Sequence, residues 1–145
     1  MKAIDYFTPE QRGRIHHAVH EAEKLTSGEL RVYIEDKCKE DVLDRAAFVF
    51  AEMIMHKTTA RNGVLIYLAL HDHKFAIIGD VGIHIKVGDD FWNKIKIQMA
   101  NDFKEGRYTD GLIRSVMDAG HALQQHFPRV DDDTNELSNE LVFGK

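Results

Sequence analysis

Arg61-Asn62-Gly63-Val64-Leu65-Ile66-Tyr67-Leu68-Ala69-Leu70-His71-Asp72-His73-Lys74-Phe75-Ala76-Ile77-Ile78-Gly79-Asp80 is the stretch that decides the fold. Asn62-Gly63 is a turn signal. Val64 to Leu70 is an unbroken apolar run, the pattern of a strand buried on both faces. His71-Asp72-His73 is short enough to be a hairpin loop, and Lys74 to Gly79 reads as the returning strand. A strand covered on both sides needs helices above and below it, so the stretch predicts an α/β protein rather than a bundle or an all-β sandwich.

The flanking sequence supplies those helices. Upstream, Thr8-Pro9-Glu10-Gln11 predicts a helix start, with Thr8 as cap, Pro9 in the first turn and Gln11 closing a capping box. Ile15, Ala18, Val19, Ala22 and Leu25 follow at helical spacing, and Ser27-Gly28 stops the helix. Glu29 to Glu35 alternates, with Leu30, Val32 and Ile34 on one face and Arg31 and Tyr33 on the other, the period of a strand. A second helix is expected from near Asp41. Downstream, Asp80 to Gly88 carries three glycines counted with Gly79 and reads as a loop (Gly79, Gly82, Gly88). A third helix is expected from Asp89 or Asp90 to Gly106, and a fourth from about Thr109 to Gln125. The expected architecture is a three-layer αβα sandwich with a small mixed central sheet and helices on both faces.

The chain has 145 residues, 43% hydrophobic and 30% charged, with a net charge of −5. One core is expected at this length. Without a basic excess, neither nucleic acid nor an anionic lipid surface is an expected partner. The longest apolar run is far below the ~20 residues a membrane helix needs. Met1 to Phe7 has no secretory h-region, and Cys38 has no second cysteine to bridge to, so a monomer in the cytoplasm is the expectation. Residues 129–145 hold Arg129 and Lys145 against Asp131, Asp132, Asp133, Glu136 and Glu140, and so carry −3 of the −5. They read as an acidic tail appended to a domain of residues 1–128, docked through Leu137, Leu141 and Val142.

Most candidate chemistry fails on spacing. His16 and His20 share a helical face, but His17 stands where a zinc protease helix needs glutamate. Asp131, Asp133 and Asn135 fit the first positions of a calcium loop, but Glu136 and Val142 stand where glycine and the bidentate glutamate belong. Cys38 reads as a surface thiol. No P-loop, dinucleotide glycine pattern or serine-hydrolase elbow is present. What remains is the acidic, glycine-rich stretch from Asp80 to Asp90. Hard cations take several oxygens at about 2.3–2.6 Å, from carboxylates and backbone carbonyls. If the hairpin forms and the 29–35 strand runs parallel to the 64–70 strand, then Glu29, Asn62, Asp80, Asp89 and Asp90 come to one rim of the sheet. The alternative is that Asp89 or Asp90 only caps a helix.

Four stretches in order then resemble a family. They are Thr26-Ser27-Gly28-Glu29-Leu30-Arg31-Val32, Arg61-Asn62-Gly63-Val64-Leu65-Ile66, Phe75-Ala76-Ile77-Ile78-Gly79-Asp80-Val81-Gly82-Ile83, and Gly106-Arg107-Tyr108-Thr109-Asp110-Gly111-Leu112. Together, across residues 7–127, they resemble the TPM domain. The resemblance implies an αβα sandwich binding Ca²⁺ or Mg²⁺ in loops beside the sheet. The family includes a plant thylakoid-lumen protein described as an acid phosphatase. Many relatives have a glycine-tyrosine-glycine-leucine-glutamate run where this chain has Asp80 to His84, so His84 replaces that glutamate. The expected function is therefore a divalent-metal-binding domain with a regulatory or interaction role, holding Ca²⁺ or Mg²⁺ through Asp80, Asp89, Asp90, Asn62 and Glu29, helped by carbonyls near Thr59 to Arg61. The alternative is a metal-assisted phosphatase with His84 as candidate base. A third reading is a partner-binding module using Arg31 and Tyr33 on the polar strand face, together with the tail.

Overall fold

A computed structural model describes residues 1–129 and 141–144. The elements run α1 (Ala3–Tyr6), α2 (Pro9–Glu23), β1 (Glu29–Glu35), α3 (Val42–Glu52), a 3-10 turn (Met55–Lys57), β2 (Gly63–Ala69), β3 (Lys74–Gly79), α4 (Val81–Lys104), α5 (Tyr108–His126) and β4 (Leu141–Phe143). The sheet order is β3-β2-β1-β4. β1 pairs parallel with β2 and with β4, while β2 and β3 form the antiparallel hairpin. This is the expected αβα sandwich with a mixed sheet.

β2 explains the layering. All seven of its residues are buried. Val64, Ile66 and Leu68 join Leu30, Val32 and Ile34 in the larger core, against Val19, Met99, Leu112 and Val116 of α2, α4 and α5. Leu65, Tyr67 and Ala69 project to the other face, where Ala46, Val49, Phe50 and Met55 cover them. On that second face the Tyr67 hydroxyl donates to Glu35, whose carboxylate also takes both arms of Arg45 at 2.8 and 2.9 Å. Burial and the Glu35 contact push the Tyr67 phenol above its ordinary range.

The capping box at Thr8 and Gln11 forms as expected. Several other expectations change. The stretch after Asp80 is helix, not loop. Asp80 accepts the Val81 N–H and caps α4, Ile83 is buried, and a break at Gly88 (φ 76°) bends the helix before it continues. Glycine is suited to that break because φ is positive. Of the residues expected to dock the tail, Leu141 and Val142 do so as a short strand, Leu141–Phe143, beside β1. The acidic residues Asp131, Asp132, Asp133, Glu136 and Glu140, and Leu137, lie outside the described residues. Cys38 is buried, not a surface thiol, and its Sγ donates to the Glu40 carbonyl at 3.3 Å.

Arg31 is the largest departure from the expected polar strand face. It is 0% exposed. Its guanidinium donates to Glu23 Oε2 at 2.6 Å and Glu29 Oε2 at 3.2 Å, and Glu23 Oε2 also accepts the Leu30 N–H at 2.9 Å. Arg31 is therefore a buried counter-ion between two buried acids, and not part of a partner surface.

Two expectations test this packing. Arg31→Ala strands Glu23 and Glu29 in the interior and should cost about 3–5 kcal/mol in urea unfolding. At Gly79, an added Cβ would lie 2.2 Å from Trp92 Cζ2. Gly79→Ala must displace a rigid indole and should cost about 1–3 kcal/mol, with a shifted Trp92 emission.

Candidate metal-binding rim

The backbone brings three of the five expected residues to one end of the sheet. Glu29 pairs in register with Gly63, and its N–H donates to the Asn62 carbonyl at 3.4 Å. On the other side of β2, the Asp80 N–H donates to the Gly63 carbonyl at 2.9 Å. Glu29, Asn62-Gly63 and Asp80 thus stand side by side across β1, β2 and the end of β3.

The two connecting segments meet there closely. The Gly82 N–H donates to the Arg61 carbonyl at 2.8 Å. A Cβ on Gly82 would lie 2.0 Å from the Ala60 carbonyl oxygen and 2.6 Å from that of Arg61. Only a bare glycine lets these carbonyls approach the first turn of α4. The Thr58 hydroxyl holds the same segment from within, accepting the Asn62 N–H at 3.1 Å.

The side chains differ in how committed they are. Asp80 is buried, and its two oxygens take a fork from Arg61 at 2.7 and 2.9 Å. That hydrogen bond, and then the carboxylate's charge, hold the Arg61 guanidinium above its ordinary range. Arg61 itself is half exposed and sits at φ 52°, an uncommon conformation for a side chain with a Cβ. Asn62 is 1% exposed; its amide nitrogen reaches Ser27 Oγ at 3.5 Å, and its Oδ1 has no hydrogen-bond partner among the described residues. An orphaned buried acceptor calls for a cation, a water or a donor to fill it. Glu29 is buried and engaged with Arg31.

Asp89 and Asp90 stand apart from this arrangement, on the exposed side of α4 after the break at Gly88. The Asp89 carboxylate is 87% exposed and lies 3.5 Å from His84 Nε2. Among the described residues, no three His, Cys, Asp or Glu side chains come together as a metal-holding group. The donors that fit a hard cation here are the Asp80 carboxylate, Asn62 Oδ1 and the crowded carbonyls of Ala60 and Arg61. Asp80 and Asn62 were named from the sequence, whereas the carbonyls were legible only as a suggestion, since a backbone oxygen carries no residue signature.

His84 differs from the role expected for a base. The Trp92 indole N–H donates to His84 Nδ1 at 3.0 Å. Indole only donates, so Nδ1 accepts and Nε2 carries the ring proton. His84 therefore offers a proton at Nε2, where a base would offer a lone pair.

A family profile described as the TPM domain matches residues 2–122. Among solved structures, the chain is similar to the BA42 protein from the psychrophilic bacterium Bizionia argentinensis, with 42% identity, a TM-score of 0.87 and 96% of each chain covered. It also shares a fold with the N-terminal domain of the cg2496 protein from Corynebacterium glutamicum, at 8% identity and a TM-score of 0.63, covering 93% of this chain and 79% of that one. No curated protein matches the chain. No helix among the described residues is long and apolar enough to cross a membrane. The profile match over most of the chain, and the identity with BA42 along nearly all of it, place this protein in the TPM domain family.

Proposed function

We propose that this domain binds a divalent cation, Ca²⁺ or Mg²⁺, at the rim where β2 begins and β3 ends, in a regulatory or interaction role. The observation that carries this reading is the buried Asn62 Oδ1, which has no hydrogen-bond partner among the described residues and belongs to the same segment as the Ala60 and Arg61 carbonyls crowded against Gly82. Hard cations prefer this oxygen set of carboxylate, amide and carbonyl. Asp80 and Asn62 would hold the ion, with Ala60 and Arg61 carbonyls near them. Glu29 would act from one step away, through its pairing with Arg31. Asp89 and Asp90 have less support, since both are exposed on α4.

Asp80 already has a cation, the guanidinium of Arg61. A metal must compete with it. Because Arg61 is half exposed, it can swing into water without leaving a buried charge behind. Its displacement is therefore the main electrostatic cost of loading the rim.

Metal-assisted phosphoester hydrolysis ranks second. It needs a base near the ion, and His84 presents its proton outward while Trp92 holds its other nitrogen. The rim supports binding better than it supports turnover.

Calorimetric titration with CaCl₂ and with MgCl₂ tests the reading. Saturable heat is expected in the wild type and is lost in Asp80→Ala; no heat with either ion, together with unshifted amide resonances at residues 60–63 and 80–82, would sink it. Arg61→Ala removes the tethered competitor. If the reading holds, this variant binds either ion about tenfold more tightly than wild type, a change of about 1.4 kcal/mol.

A further inference from the structure

We propose that the pocket between β3 and α4, around His84, is a binding site for a small carboxylate with a short apolar body. The pocket has a volume of about 360 Å³ and is lined by Ile77, Ile78, Gly79, Trp92, Asn93 and Lys96, with His84 and Asp89 at its polar side. That size is at the small end of ligand sites.

The polar side is built to donate. Trp92 donates to His84 Nδ1, which leaves the proton on Nε2. If the neutral ring carried its proton on Nδ1 instead, two N–H groups would face each other across 3.0 Å, so Trp92 holds the tautomer. Lys96 adds a cation and Asn93 an amide, both among the lining residues. The Trp92 indole is itself fixed, because it packs on the bare backbone of Gly79, where no Cβ could fit. His84 is thus a preset donor on a rigid support and not a surface histidine free to turn.

The chain shows which kind of acceptor suits this donor. The group nearest Nε2 is a carboxylate, that of Asp89 at 3.5 Å. The gap is longer than a good hydrogen bond. Asp89 is 87% exposed, so nothing buries it in that position. An incoming carboxylate can replace it, bond to Nε2 at ordinary length and meet Lys96 as well. One lysine and one neutral donor match a single negative charge. Ile77 and the Trp92 ring, both on the α4 side of β3, give a short alkyl or similar body something to pack on. Among the described residues, Asp89 is the acidic side chain beside His84 that opposes an anion, and its exposure lets it turn away.

This inference stands apart from the metal reading. The test is therefore run in buffer freed of divalent metal by a chelating resin, so that failure of one leaves the other untouched. Trp92 is the only tryptophan, and its indole N–H is the reporter. Sodium butyrate and acetate are titrated against sodium chloride at equal ionic strength, following Trp92 fluorescence and the indole ¹H–¹⁵N resonance. The expected result is a saturable change with both carboxylates, tighter for butyrate, and none with chloride. His84→Gln and Lys96→Met are each expected to weaken butyrate binding about tenfold, as loss of a charge-assisted hydrogen bond does. Asp89→Asn, which removes the tethered competitor and lies on the surface, should tighten it several-fold. An equal response to chloride, a response to inorganic phosphate but to neither carboxylate, or undiminished binding in both His84→Gln and Lys96→Met would overturn the proposal.

Discussion

The complete burial of β2 is the constraint on which the rest of this molecule depends. Seven consecutive residues, Gly63 to Ala69, are out of contact with water. Such a strand is stable only when both sheet faces are covered and both edges paired. α2, α4 and α5 cover one face, α3 and the Met55–Lys57 turn cover the other, and β1 and β3 take the edges. Because β1 is parallel and β3 antiparallel to β2, the start of β1, the start of β2 and the end of β3 are brought to one rim. The rim's polar groups are thus gathered by the same geometry that buries the core.

Burial forces the charged residues into matched sets. Glu23 and Glu29 share Arg31, Glu35 takes Arg45, Asp80 takes Arg61, and Asp102 faces Arg107 and Arg114. An isolated buried carboxylate would be expensive, whereas a paired one can be roughly neutral and still restrict which packing is allowed. These sets differ in how they could respond to a ligand. Arg31 is sealed in and can only be structural. Arg61 reaches its acid from the surface, so it can leave for water when another cation takes its place at the buried Asp80.

The two candidate sites share this logic. At the rim, Arg61 occupies the acid that a metal would use. In the β3–α4 pocket, Asp89 rests against the donor that a carboxylate would use. In each case a more exposed charged side chain stands at a better-buried partner. α4 links the two sites physically, since Asp80 caps its first turn and the His84 N–H donates to the Asp80 carbonyl at 2.9 Å.

Much of this was legible in the sequence because it is local. The apolar run at Val64 to Leu70, the capping box at Thr8, the hairpin loop at His71 to His73 and the three-layer class all follow from spacing and turn chemistry, as does the meeting of Glu29, Asn62 and Asp80 at one rim. What tertiary structure alone decided depends on neighbours distant in sequence. Arg31 alternates like a solvent-facing residue, yet Glu23 on α2 makes it a core cation. Gly79 and Gly82 look like loop punctuation, yet one ends β3 and the other sits in the first turn of α4, where Trp92 and the Ala60 carbonyl require their lack of a Cβ. His84 looks like a candidate base, yet one hydrogen bond from Trp92 sets which nitrogen holds the proton. Periodicity reports which face of an element is apolar; it carries no record of which charge, carbonyl or indole from elsewhere in the chain will be packed against it.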